Sequence, residues 1–210
     1  MADVGAARER IAAAAARAGR DPGDVEIVAA TKYVALEDLG AIADAGITRV
    51  GENRAQDLQA KHAEYGDRFT WDFIGHVQSR KVPQILPLVQ RIHSVGSDSV
   101  LGRLERHMDL ARPGFEILIE VNVAREEGKS GIDPDELGAF LERCPIAPVG
   151  LMTMPPLEGD SRRWFSALRE LADEHGLREL SMGTSQDFEV AVEEGATIVR
   201  LGSVLFRTGS

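Results

Sequence analysis

Val25-Glu26-Ile27-Val28-Ala29-Ala30-Thr31-Lys32-Tyr33 is the stretch on which the fold turns. Its centre is apolar and β-prone, and it is short enough for one buried strand. It ends on Thr31-Lys32-Tyr33, with no glycine. A doubly wound sheet would show a glycine-rich turn after its first strand. That fold is disfavoured, and a barrel is the better reading.

Working outward, β-rich runs alternate with helical patterns. Strands are predicted over 25–31, 48–50, 70–74, 91–95, 115–123, 149–153, 179–182 and 197–201. Helices are predicted over 36–44, 55–64, 82–88, 99–110, 133–142, 161–174 and 187–193. Asp133-Pro134 supplies a cap and an N1 proline, and Gly176 and Gly195 close two of the helices. Hairpin signals are absent, so the strands must run parallel with helical crossovers. Eight β-then-α units predict one (β/α)8 TIM barrel, α/β in class. The Ala-rich start adds an extra N-terminal helix, and the last residues read as the start of a closing helix. No linker or composition shift divides the chain, so residues 1–210 are expected to form a single domain.

Composition narrows the function. The chain carries 24 basic and 34 acidic side chains, a net charge of −10. That balance argues against nucleic acid and anionic membranes as partners. A single cysteine, Cys144, excludes an internal disulfide and a Cys-rich zinc site. No apolar run is long enough to span a membrane. The Ala-rich start is interrupted by Arg17 and preceded by Asp3 and Glu9, unlike a signal peptide. A cytoplasmic protein is expected. Of the 24 basic residues only Lys32, Lys61, Lys81 and Lys129 are lysines, so each raises the question of whether an amine is required.

Barrel sites gather at the C-terminal ends of strands. Lys32 follows the first strand. If Val28, Ala30 and Lys32 share the inner face, its amine enters the barrel mouth and can attack a carbonyl. A snorkelling lysine would show the same spacing. The last strand ends Arg200-Leu201-Gly202-Ser203, and the seventh ends Ser181-Met182-Gly183-Thr184-Ser185. Two small, hydroxyl-bearing turns side by side make a phosphate cup, although Gly and Ser are also ordinary turn residues. Arg200, inward on the last strand, needs an acceptor such as phosphate, a ring nitrogen or a carboxylate. An amine beside a phosphate cup suits pyridoxal 5′-phosphate, or a phosphorylated ketone handled by a cofactor-free Schiff-base aldolase.

Other motifs fall away. Gly128-Lys129-Ser130 resembles the end of a P-loop, but Val123 stands where the loop's first glycine belongs. The five histidines show no metal spacing; His76, at a strand end, is read as a polar lid contact. Trp71 and Trp164 read as core.

The chain is then identified with a family. Ala29-Ala30-Thr31-Lys32, Gly51-Glu52-Asn53, and Phe73-Ile74-Gly75-His76-Val77-Gln78-Ser79-Arg80-Lys81 resemble the pyridoxal-phosphate homeostasis proteins (YggS-type, alanine-racemase-like). So do His93-Ser94-Val95, Val121-Asn122-Val123, Lys129-Ser130-Gly131, Gly150-Leu151-Met152, Ser181-Met182-Gly183 with Ser185 and Asp187, and Val199-Arg200-Leu201-Gly202-Ser203. The blocks follow the family's order across nearly the whole chain. The resemblance implies a barrel of the alanine racemase N-terminal type with pyridoxal phosphate as an internal aldimine on Lys32. It implies phosphate binding by Ser181, Gly183, Ser185, Gly202 and Ser203, Arg200 at the pyridine nitrogen, and Asn53 near the ring. Two departures stand out: Thr184 where the family has Met, and Leu205-Phe206-Arg207 where glycine usually follows Phe.

An arginine at the ring nitrogen disfavours its protonation and weakens the ring as an electron sink. The related racemases take a second base, a tyrosine, from a C-terminal domain that the sequence given does not contain. Tyr33 is expected on the face opposite Lys32, and Tyr65 in a helix-end turn. The expectation is therefore a protein of intracellular vitamin B6 homeostasis, without efficient turnover. It would be a monomer that passes the cofactor to apo forms of dependent enzymes. The alternatives are a weak pyridoxal-phosphate-dependent amino-acid racemase or decarboxylase, and the aldolase.

Overall fold

A computed structural model describes residues 4–156 and 159–206. After helix α1 (Val4–Arg17), strands and helices alternate without exception. They are β1 (Glu26–Ala30), α2 (Leu39–Asp44), β2 (Arg49–Glu52), α3 (Ala55–Tyr65), β3 (Thr70–Phe73), α4 (Val82–Ile85), β4 (Arg91–Val95) and α5 (Asp98–His107). Then come β5 (Glu116–Glu120), α6 (Leu137–Leu141), β6 (Gly150–Met152), α7 (Arg162–Glu174), β7 (Glu179–Thr184), α8 (Phe188–Glu193) and β8 (Ile198–Leu201). The strands close into a barrel in chain order, sealed where β8 pairs parallel with β1, Val28 opposite Arg200. The expected (β/α)8 architecture is what the chain adopts.

Alternation sorts the side chains. Ala29, Val50, Trp71, Ile117, Leu151 and Val199 face outward, packed in one cluster with α1, α3, α5, α7 and α8. Val28, Leu118, Met152 and Ile198 form a separate cluster inside the barrel. Burial of both faces is why these strands read as near-continuous apolar runs. The first residues of four strands meet at the N-terminal end. Glu26 accepts from Arg49 Nε at 2.7 Å and from Arg91 Nη1 at 3.0 Å, and Arg91 also bonds Glu116 at 2.8 Å.

Several boundaries differ from the sequence reading. β1 stops at Ala30, so Lys32 lies in the turn beyond it. The apolar run 115–123 yields strand only to Glu120, because the chain then turns and Val121 bridges to Ile132. The helix expected from 133 begins as a 3₁₀ turn, Pro134–Glu136, capped by the Asp133 side chain on Asp135 N–H. β7 reaches Thr184, two residues beyond the predicted end. Among the described residues, no helix follows β8: Gly202 to Phe206 form a turn, held by Leu205 and Phe206 N–H on the Gly202 carbonyl. Arg207 lies outside the described residues. Among the described residues, no helix is long and apolar enough to cross a membrane.

Candidate functional site

The C-terminal ends of the strands form the mouth, and Arg200 is its central charge. It is 4% exposed and projects inward from β8. Nη1 donates to the carbonyl and the hydroxyl of Ser181, each at 2.6 Å. Nη2 donates to the Thr153 carbonyl at 2.9 Å and lies 2.9 Å from Met154 Sδ. Burial pulls its pKa down to about 10, against the opposing pull of Glu120 and Asp187. It therefore remains a cation at neutral pH.

Below Arg200 the polar contacts run in one direction. A guanidinium only donates, so the Ser181 oxygen must accept from it. The Ser181 hydroxyl is then free to donate to His93 Nδ1, 2.8 Å away. That leaves His93 Nε2 as the protonated nitrogen, donating to Asp72 Oδ2 at 3.0 Å. Asp72 Oδ1 in turn accepts from Arg49 at 2.8 Å. His93, Asp72 and Ser181 are all fully buried. Burial also lowers the His93 pKa, outweighing the Asp72 hydrogen bond, so the ring is neutral. The connectivity imitates a nucleophilic triad, but Ser181 Oγ already receives Arg200 and faces no solvent. Its geometry is that of a support under Arg200.

The two small turns do meet. Ser185 Oγ accepts from Gly202 N–H at 3.0 Å and from Val204 N–H at 3.2 Å, joining the end of β7 to the end of β8. Asp187 Oδ1 takes both the N–H and the hydroxyl of Thr184. Gly183, at φ +90°, has no room for a side chain: a Cβ would stand 2.5 Å from Ala191 Cβ and 2.9 Å from Phe188 Cα. Ser203 is exposed at the rim. Among the described residues, no acceptor meets its N–H.

Lys32 is exposed in the β1–α2 turn, its Nζ 5.0 Å from the centre of the Tyr33 ring. Lys32 and Tyr33 are therefore not on opposite faces, and the expectation for Tyr33 requires correction. Period-2 alternation ends with the strand at Ala30, and a turn brings the two neighbours together. A second lysine shapes this turn. Lys61 on α3 is buried and donates to Glu52 Oε1 at 2.6 Å and to the Thr31 carbonyl at 2.7 Å. The Thr31 hydroxyl reaches the same Glu52 oxygen at 2.6 Å. The residue before Lys32 is thus fixed from both its carbonyl and its side chain.

Asn53 follows β2 at the mouth, and its Oδ1 is a buried acceptor with no partner among the described residues. Gly75 packs directly on it; a Cβ there would lie 2.3 Å from the Asn53 carbonyl oxygen. Glu120, inward on β5, accepts from Ser130 at 2.7 Å. Burial raises its pKa, against the Ser130 bond and the charges of His76 and Arg200.

His93, Asp72, Glu120 and Lys61 were missed by the sequence reading. Asp72, His93 and Glu120 sit beside apolar residues at buried positions of short strands, and a titratable residue in such a run is the signal that could have found them. Lys61 had only its rarity among 20 arginines to mark it.

The residues present fit a phosphorylated pyridine aldehyde. The joined turns offer small residues, the Ser185 O–H and the Ser203 N–H to a phosphate, Arg200 offers a cation to a ring nitrogen, and Asn53 Oδ1 awaits a hydrogen-bond donor. Among the described residues, no cluster able to hold a metal ion occurs.

No protein-family profile matches the chain. Individual relatives do. It is 40% identical over 212 residues to the pyridoxal phosphate homeostasis protein of Aquifex aeolicus, covering 94% of this chain and 93% of that protein. PipY of Synechococcus elongatus, solved with pyridoxal phosphate bound, superposes with a TM-score of 0.77 at 32% identity, over 95% of this chain and 99% of PipY. Alanine racemase from Corynebacterium glutamicum superposes with a TM-score of 0.71 at 15% identity, over 99% of this chain and 62% of the racemase, a likeness of fold alone. The closed parallel barrel is thus one of the alanine-racemase type. Within that class, identity over nearly the full length of both sequences decides membership. The chain belongs to the pyridoxal phosphate homeostasis protein family.

Proposed function

We propose that this protein binds pyridoxal 5′-phosphate at the barrel mouth and holds it in reserve for other proteins, without efficient turnover of amino acids. The observation that carries this reading is Arg200, a buried cation held by three oxygens beside the turns that Ser185 joins.

Lys32 would take the aldehyde carbon. Gly183, Ser185, Gly202 and Ser203 would surround the phosphate, Arg200 would face the pyridine nitrogen, and Asn53 would lie at the ring. Ser181, expected from the sequence at the phosphate, is better assigned to orienting Arg200, because both its oxygens already accept from that side chain. Bound pyridoxal phosphate supplies a reactive aldehyde and a ring that is a strong electron sink only when its nitrogen is protonated. Arg200 opposes that protonation, since a second positive charge beside a guanidinium is unfavourable. Ser181, His93 and Asp72 fix the guanidinium in place, and none of them is exposed to move a proton to a ligand. The protein acts as a cytoplasmic monomer that passes the cofactor to apo-enzymes.

A slow racemase or decarboxylase is the second reading. One contact bears on it: the Tyr33 ring centre lies 5.0 Å from Lys32 Nζ, on the same side as the amine, whereas a racemase needs its second base across from the lysine.

The test is spectroscopic. Protein purified with pyridoxal phosphate should show a visible absorption band that Lys32→Ala lacks, and borohydride should fix the label on the peptide carrying Lys32. A label on Lys61, Lys81 or Lys129 would overturn the assignment, and absence of any band would favour the cofactor-free aldolase. Exchange of amino-acid Cα protons with D2O at enzymatic rates, about 1 s⁻¹ or faster, would transfer the argument to the second reading.

A further inference from the structure

We propose a second anion site, for a phosphate monoester, on the β2–β3 side of the mouth and separate from the turns after β7 and β8. A cavity of about 650 Å³ opens there between the start of α3 and α4. Its wall carries Arg54, Arg80 and Lys81, with His76, Gln78 and Gln84 between them and no carboxylate. Phe73 and Ile85 supply an apolar floor. The volume is that of a small-molecule pocket.

The grouping is unusual in a chain with an excess of ten acids. Lys61 and Lys129 each have a carboxylate partner. Lys81 instead bonds only the neutral Gln84 oxygen at 3.3 Å, and Arg80 the neutral Gln78 oxygen at 3.4 Å. Both contacts are long, and neither offsets a charge. Three cations in one concave wall repel one another, and a concave wall focuses their field on its interior. A solvated basic face would account for cations on a convex surface, but not for their convergence with three amide- or imidazole-bearing neighbours around a cavity. Two further features add donors. α3 begins at Ala55, in the cavity wall, and no side chain caps its N terminus, so its leading N–H groups are available to a ligand. The site is also held rigidly: the Gly75–Asn53 contact locks the β3–α4 segment against the end of β2.

Charge and donor count select the ligand class. A carboxylate uses one cation and two donors. A phosphate monoester near neutral pH carries close to two negative charges on three terminal oxygens and can engage all three cations. The apolar floor suits a ring attached to that phosphate. Asn53, placed above at the cofactor ring, borders this cavity as well, but none of the residues assigned to the cofactor phosphate takes part, and the three cations do not depend on the cofactor reading.

The test uses protein saturated with pyridoxal phosphate, so that the first site is filled, and pyridoxine 5′-phosphate as the probe, since it has no aldehyde for Lys32. Calorimetry should show one saturable equivalent with the visible band unchanged. Arg80→Ala and Lys81→Ala should each weaken it about tenfold, as expected for loss of a charge-assisted hydrogen bond. Lys81→Arg should retain it. These side chains are exposed or half-buried, and unchanged thermal midpoints will separate lost binding from lost fold. The proposal is overturned by absence of saturable binding to the wild type, by equal affinity in the Arg54→Ala/Arg80→Ala/Lys81→Ala variant, or by loss of the visible band as the probe binds. Malonate competing as strongly as inorganic phosphate would overturn the phosphate selectivity.

Discussion

Arg200 holds Ser181 twice, with Nη1 2.6 Å from both the carbonyl oxygen and the hydroxyl oxygen. One side chain of β8 thereby consumes both oxygens of its neighbour on β7. The hydroxyl proton is directed to His93, and removal of that hydroxyl strands two partners. Ser181→Ala should cost about 1–3 kcal/mol, the penalty for a buried group left without its bond. Urea unfolding measures it. Stability within about 0.5 kcal/mol of wild type would mean that the hydroxyl is not part of a connected network.

His93 gives the protein an acid-sensitive element. Its pKa in the folded state is lowered from 6.5, so below that value the unfolded chain binds more protons than the folded one. The contribution is complete above the unfolded value and is lost as pH falls through it toward the lowered folded value. Stability of the wild type should decline from about pH 7 to about pH 5 more steeply than that of His93→Gln. His62 shifts in the same direction, so the difference between the two proteins is the quantity to follow. Parallel curves would remove His93 as the cause.

Lys61 is the lysine whose loss should harm the fold. Lys61→Met leaves Glu52 fully buried without its cation, which costs about 3–5 kcal/mol. Combining it with Glu52→Gln should recover part of that loss, and chemical denaturation of both single variants and the double closes the cycle. Lys32→Ala, by contrast, should stay within about 0.5 kcal/mol of wild type because Lys32 is exposed.

Gly183→Ala tests the joined turns. The new methyl group would meet Ala191 and Phe188 at a positive φ. Overpacking there should cost about 1–3 kcal/mol and displace the Thr184-Ser185 turn. The affinity for pyridoxal phosphate, read from the visible band, should fall with it. Unaltered affinity would show that the phosphate is held elsewhere.

The barrel was legible in the sequence because most strands are short, largely apolar runs and most crossovers end on glycine or begin on a cap. The joining of the β7 and β8 turns was also legible, since consecutive strands are neighbours by topology. What alternation could not supply was the partner across the barrel. It places Asp72, His93 and Ser181 inward, but their meeting joins β3, β4 and β7 through the interior. Alternation also misled at Tyr33, where the strand had already ended. The role of Lys61 depends on α3 folding back over the β1 turn, a contact between residues 30 apart.

The ion-paired floor of Glu26, Arg49, Arg91 and Glu116, with Val28, Leu118, Met152 and Ile198 filling the space above it, makes the barrel a cul-de-sac. Whatever rests at Arg200 must leave by the door through which it came. Replacement of one occupant by another is then strictly sequential, departure first. The rate of exchange is set by how fast the resident lets go, and crowding the entrance with newcomers does nothing to hasten it.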